Sequence, residues 1–174
     1  MQKRIIQVFF WLIDMKIIIR EAIEKDYEAI CKLYFEGDTL HYTSDDYLFR
    51  EPQPLARGKE KIVSILNDEK ADLFIAEIDG EIVGVLHIYL KERKDEPPMK
   101  GRKLAHIDSI VVAKEYQGKG IGKQLMEKAD AWARIKGLNE IELGVFEFNK
   151  EAIAFYEILG FKTVSRYMGK LLSE

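Results

Sequence analysis

The strongest constraint on this chain is a glycine-rich stretch, Gln117-Gly118-Lys119-Gly120-Ile121-Gly122. An apolar run from Ile107 to Val112 precedes it, and an amphipathic segment from Ile121 to Lys136 follows. Strand, glycine turn and helix start, in that order, crowd backbone N–H groups together where side chains are absent. The first helical turn adds its unpaired donors and the positive end of its dipole, a combination suited to a diphosphate. Neither of the two commonest owners of such a turn fits. The dinucleotide pattern G-x-G-x-x-G fails because Leu125 stands where a third glycine would follow Gly120 and Gly122, and the first strand does not feed this turn. The phosphate-loop pattern fails because Gln124, rather than Ser or Thr, follows Gly122-Lys123.

The rest of the chain reads as alternating short elements. Ile17 to Ile19 is a β-branched strand. Asp26 is expected to cap a helix whose apolar positions Tyr27, Ile30, Cys31 and Tyr34 follow the i, i+3, i+4, i+7 rule. Periodicity fails from Gly37 to Gly58, which predicts a long loop with one helical turn, and Lys59 to Asn67 resumes as a short helix. Strands over Leu73–Ile78 and Glu81–Leu90 are joined by Asp79-Gly80, a dipeptide that tolerates positive φ and signals a hairpin. Lys91 to Lys103 is a charged loop and Leu104 to Val112 the next strand. The helix after the glycine turn carries Ile121, Leu125, Ala129, Trp132 and Ala133 on one face and ends at Lys136-Gly137. Ile141 to Phe146 is a strand, and Asn149 caps a helix over Lys150–Leu159, closed by Gly160. Phe161–Val164 and Tyr167–Leu172 are expected as closing strands. The order β-α-α-β-β-β-α-β-α-β-β predicts a mixed α/β domain.

Composition narrows the function classes. A 174-residue chain that is 47% hydrophobic and 33% charged suits one soluble globular domain. Its net charge of −3 does not favour nucleic acid as a partner. The single cysteine, Cys31, excludes an intrachain disulfide and, on an apolar helix face, reads as a buried small residue. The run Ile5–Ile13 is too short to span a membrane, is broken by Gln7 and leads to Asp14 rather than a small-residue cleavage site. Residues 1–14 are therefore expected to be an appendage, from an upstream start codon or as a strand that packs on a partner. The domain then occupies residues 15–174, with no membrane association and a cytoplasmic location.

One pattern does fit the glycine turn, Q/R-x-x-G-x-G/A, present as Gln117-x-x-Gly120-x-Gly122. It is joined by Ile19-Arg20-Glu21-Ala22, by the run Ile107 to Lys119, and by Asn149, Ala152, Phe155, Tyr156 and Gly160-Phe161. On these residues the chain, from Met15 onward, resembles the GCN5-related N-acetyltransferase (GNAT) superfamily. The resemblance implies an α/β (α+β) fold: a central mixed, mostly antiparallel sheet of six to seven strands, flanked by about four helices, with splayed central strands. It implies acetyl-CoA as donor, no metal, and direct attack of an amine on the thioester in a ternary complex. The pyrophosphate would lie on the backbone of Gln117, Gly118, Lys119, Gly120, Ile121 and Gly122, with Lys123 at the same helix start. A side chain at Gly120 or Gly122 would block close approach. Main-chain groups of Ile110, Val111 and Val112 would bind the pantetheine amides, and an N–H near Val112 would stabilise the oxyanion.

Asn149 and Tyr156 are seven residues apart, about two helical turns, and share nearly one face. Asn149 either bonds the pantetheine arm or caps its helix. Tyr156 matches the family's proton donor to the departing thiolate, or is an aromatic packed beside Phe155. For the base, His106 and Asp108 alternate onto the same face of the central strand, and either suits the task unless both are ordinary strand residues. His87 reads as packed within the sheet, and His41 sits in the irregular loop. That loop corresponds to the family's acceptor wall, with His41, Tyr42 and Phe49 as the expected contacts. Its Asp38, Asp45, Asp46 and Glu51 suit a cationic amine. A non-catalytic acetyl-CoA-binding module is the alternative to an enzyme, and transfer of a longer acyl group remains open. A homodimer is also an expectation, with Ile5–Ile13 and the C-terminal strand as surfaces.

Overall fold

Asp79 and Gly80 both take positive φ, 50° and 84°, and turn β2 (Ala71–Ile78) directly into β3 (Glu81–Arg93). This hairpin is the middle of the sheet in the computed structural model, which describes residues 16–172. Residues 1–14, read as an appendage, lie outside the described residues. Five strands run in the order β1-β2-β3-β4-β5, with β1 at Ile17–Glu21, β4 at Arg102–Val112 and β5 at Ile141–Leu143. Neighbours are antiparallel except β4 and β5, which are parallel.

Helices cover both faces, so the central strands read as nearly unbroken apolar runs. On one face, α1 (Tyr27–Ser44) and α2 (Lys59–Leu66) bury Ile30, Leu33, Tyr34, Ile62 and Ile65 with Leu73, Ile75 and Val85 of the sheet. On the other lies α3 (Ile121–Ile135). Gly84 makes room for it: a Cβ there would stand 3.1 Å from Leu125 Cδ1 and 3.2 Å from Ile121 Cγ2. Ile121 and Leu125 are both buried, each worth about 1.5–3 kcal/mol, and they fix where the first turn of α3 begins. At the far end, the Trp132 indole N–H donates to the carboxylate of Asp72.

Several expectations need correction. The loop predicted from Gly37 is helical as far as Ser44. The polar residues that broke the apolar period are satisfied inside the helix: Thr39 donates to Phe35 O at 2.7 Å, Thr43 to Thr39 O at 2.8 Å and Ser44 to Leu40 O at 2.7 Å. Gly37 marks the place where α1 crosses β4, since a Cβ there would sit 3.2 Å from Val111 Cγ2. His41 and Tyr42 thus belong to α1, and the irregular stretch shrinks to residues 45–58. Asp26 precedes α1 as expected but does not cap it with its side chain. Its buried carboxylate instead takes Arg20 at 2.7 and 3.1 Å and the Ile23 N–H at 2.9 Å.

From Gly144 onward the chain forms a second compact unit containing α4 (Lys150–Ile158). The expected closing strands over Phe161–Val164 and Tyr167–Leu172 do not form, so the sheet has five strands rather than six to seven among the described residues. Val164, Tyr167 and Met168 are 90% or more exposed. β-propensity needs a ladder and a buried face to act on, and this segment has neither. Among the described residues no helix is long and apolar enough to cross a membrane.

Candidate active site

The glycine turn grows out of the end of β4. Ala113 N–H bonds Val83 O at 2.9 Å, a 3-10 turn spans Lys114–Tyr116, and the Gln117 side-chain amide donates back to Val112 O at 3.0 Å. Gly118 and Gly120 then take φ of 73° and 83°, a region that costs an L side chain about 1–2 kcal/mol. Nothing lies within 4 Å of a Cβ built at either, so backbone conformation, not crowding within the chain, requires glycine there. Gly120 is the N-cap of α3 and supplies no side-chain cap, and the first turn holds no acidic residue. The first intrahelical bond is Gln124 N–H to Gly120 O at 3.1 Å. The N–H groups from Gly118 to Lys123 therefore have no acceptor among the described residues. Lys119 lies over the Tyr116 ring at 4.8 Å, and Lys123 faces Glu127 at 3.8 Å. An uncapped donor array at the positive end of a helix, flanked by lysines, has the chemistry of an anion cradle.

β4 loses its parallel partner early. Its pairing with β5 covers Ala105, His106 and Ile107 only, while pairing with β3 continues to Val112. One edge of Asp108–Val112, including Ile110, Val111 and Val112, therefore has no strand beside it among the described residues. The opening coincides with a β-bulge: His87 faces Ser109 and Ile88 faces Ile107, which leaves Asp108 as the extra residue. Asp108 and Ser109 both turn towards α1. Ser109 Oγ stands 3.0 Å from the Tyr34 hydroxyl, and Asp108 Oδ2 stands 3.2 Å from His87 Nδ1.

A cavity of about 420 Å³ opens in front of this bulge, lined by Tyr34, Arg57, Lys61, His87, Tyr89 and Asp108 among others. The hydrogen bond from His87 holds the Asp108 carboxyl below the usual carboxylate range, against the opposing effect of burial. Arg57 stacks over the Tyr34 ring at 4.0 Å and holds Asp38 with two bonds of 2.6 and 3.0 Å. Asp38 is therefore matched to a cation of the chain rather than offered to a ligand.

His106 shares the sheet face of Tyr89, its ring centroid 5.0 Å away, and its Nδ1 stands 3.1 Å from Glu142 Oε1. Burial, aided by Lys91, pushes the imidazole below its usual 6.5 in spite of the Glu142 hydrogen bond. His41 stacks on Phe49 with centroids 4.9 Å apart, but His41, Tyr42 and Phe49 do not line the cavity, and His106 reaches it only by way of Tyr89. Sequence reasoning missed His87, which is buried yet reaches Asp108, and Tyr34, whose hydroxyl serves the cavity while its ring serves the core. The alternation of His87 and Tyr89 along β3 was the available signal. Among the described residues no cluster of His, Cys, Asp and Glu is placed to hold a metal ion.

In the second unit, Asn149 Oδ1 accepts the Ala152 N–H at 3.1 Å and so caps α4. Tyr156 packs between Phe155 and Phe161, with centroids 5.4 and 5.8 Å away, and its hydroxyl has no hydrogen-bond partner among the described residues. Burial pushes this phenol up to about 12.

A sequence model of the acetyltransferase (GNAT) family matches residues 23–161. An N-acetyltransferase of Methanocaldococcus jannaschii is 29% identical over 144 residues, 83% of this chain and 60% of that relative, so this chain matches under two thirds of its length. A crystallised protein of Bacillus halodurans superposes with a TM-score of 0.85 at 27% identity, over 90% of this chain and 99% of the other. An aminoglycoside N-acetyltransferase solved in complex with CoA shares the fold, with a TM-score of 0.67 at 17% identity over 91% and 95% of the two chains.

Proposed function

Because this chain belongs to the acetyltransferase (GNAT) family, we propose that it moves the acetyl group of acetyl-CoA to a primary amine of a small molecule, peptide or protein. The amine attacks the thioester directly in a ternary complex. One observation carries this reading: a single strand, β4, joins the unpaired edge, the bulge that turns Asp108 into a cavity, and the anion cradle. The backbone N–H groups of Gly118 to Lys123 receive the pyrophosphate, and Ile110 to Val112 offer main-chain groups to the pantetheine arm. Asp108 attracts the acceptor as its ammonium ion. Lys61, which has no carboxylate partner among the described residues, faces the same cavity and suits an anionic group on that molecule. The best acceptor is thus an amine that also bears an anionic group, ahead of a purely cationic polyamine.

An alkylamine with a pKa near ~10 is mostly protonated at neutral pH, so a base must take a proton before attack. His106, which lies beside Tyr89 of the cavity wall rather than in the lining itself and is held neutral by burial and Lys91, takes it through a water. As the C–N bond forms, an N–H near Val112 meets the developing oxyanion. As the C–S bond breaks, Tyr156 gives its proton to the thiolate; a phenol raised to about 12 keeps that proton at neutral pH. Collapse of the adduct strips a second proton from the nitrogen, which restores the Tyr156 phenol, while the third stays on the amide; counted from the ammonium ion, CoA leaves as the thiol and one proton is released. Initial rates over a matrix of acetyl-CoA and amine concentrations test the order of events. Intersecting double-reciprocal lines are expected, and parallel lines would replace direct attack with an acetyl-enzyme.

A further inference from the structure

We propose that Glu142 positions His106, fixing it as the Nδ1–H tautomer so that Nε2 alone carries the lone pair that accepts the amine proton. The proposal rests on the reading of His106 as the base, and it concerns a residue that touches neither donor nor acceptor in that reading.

Glu142 lies on β5 in direct register with His106 of β4, at one of the few positions where the parallel pair exists. Its carboxylate is 16% exposed and accepts three donors: Lys91 Nζ at 2.7 Å and His106 Nδ1 at 3.1 Å on Oε1, and an Arg93 guanidinium N–H at 2.6 Å on Oε2. Burial works to raise its pKa, but Lys91 and Arg93 outweigh it and draw the carboxyl down to about 2. An ionised carboxylate only accepts, so the proton between Glu142 and His106 belongs to Nδ1. In water a free histidine side chain favours the other tautomer, with the proton on Nε2. The contact therefore selects a form that solution does not favour.

The two cations give the arrangement its second property. A lone carboxylate beside an imidazole stabilises imidazolium and would leave His106 protonated and useless as a base near neutrality. Here Lys91 and Arg93 neutralise Glu142, so the carboxylate orients the ring without charging it. Groups that face His106 are Tyr89 and Lys91 from β3, Asp108 from its own strand and Glu142 from β5, with Arg93 reaching the far oxygen of Glu142. Burial of the ring and the positive charge of Lys91 oppose the two carboxylates.

Only three histidines occur in the chain, His41, His87 and His106, so ¹⁵N-imidazole NMR of the full-length protein can be assigned with single His→Gln variants. The wild-type protein near pH 7.5 is expected to show His106 with a protonated Nδ1 and an unprotonated Nε2. An Nε2–H tautomer there would overturn the proposal without any kinetic measurement. Glu142→Ala should move the His106 signals towards the Nε2–H form and lower kcat about 10–100-fold, with KM for acetyl-CoA unchanged. A wild-type kcat in Glu142→Ala, with the tautomer changed, would remove the positioning role. Should Glu142→Ala fail to fold, Lys91→Met keeps the carboxylate: the Nδ1–H tautomer should persist while the His106 pKa rises. Loss of that tautomer in Lys91→Met would also contradict the proposal. His106→Gln separates the two levels. Full activity in that variant would sink the base reading, whatever tautomer the spectrum shows.

Discussion

The side-chain amide of Gln117 donates to the carbonyl of Val112 at 3.0 Å, hooking the glycine turn onto the last residue of β4. The anion cradle and the open strand edge are thereby tied together by one residue, five positions after the strand residue it grips. The neighbouring Gly120, at φ 83°, completes the cradle.

Gly120→Glu should place a strained side chain and a carboxylate at the head of α3. Left-handed backbone alone costs about 1–2 kcal/mol, and charge repulsion adds to it, so CoA affinity should fall about 100-fold or more by calorimetry. Turnover of acetyl-pantetheine, which lacks the pyrophosphate, should be little changed. Equal losses with both donors would place the defect in folding rather than in the cradle.

Tyr156→Phe keeps the ring between Phe155 and Phe161 and removes only the hydroxyl. The expected result is a fall in kcat of about 100-fold, with KM for acetyl-CoA unchanged, in steady-state assays. An unchanged kcat would return Tyr156 to the status of a packed aromatic.

In the proposed mechanism the neutral form of His106 is the active one, and burial sets its pKa below 6.5. As pH falls through 6.5 that form persists, and it is lost only at the lower pKa of the folded protein. The acid limb of the kcat/KM profile should therefore lie below pH 6.5 and vanish in His106→Gln. A limb above 6.5 would contradict the assignment.

Lys61→Met should raise KM for an amine that carries a carboxylate by about tenfold and leave KM for a simple diamine unchanged or lower. Asp108→Asn should raise KM for both. These constants come from the same thiol-release assay, and an equal response of the two acceptors to Lys61→Met would remove the anionic group from the acceptor's description.

Legibility differed between these parts for physical reasons. The turn at Gln117–Gly122 could be read because glycine spacing reports backbone conformation directly, and Gly118 and Gly120 do take left-handed values. The hairpin at Asp79-Gly80 was readable on the same ground. Gly37 misled, because a glycine needed for close approach of α1 to Val111 looks the same in a sequence as one that ends a helix. Asp38 misled similarly, since its partner Arg57 lies nineteen residues away. The cavity was only half visible. Asp108 stands out in the sequence beside His106, but the bulge that aims it depends on the register between β3 and β4, which no local pattern encodes. Glu142 is one charged residue between Ile141 and Leu143 of a short strand, and only the strand register brings it to His106.

Acetyl transfer itself is measured by following free CoA thiol while acetyl-CoA is mixed with a panel of amines that includes zwitterionic amino acids, peptides with free N-termini and diamines. Acceptor-dependent thiol release is expected, in step with acetylated amine detected by mass spectrometry. Tight CoA binding with no acceptor-dependent release from any amine would contradict acetyl transfer and make the chain an acetyl-CoA-binding module.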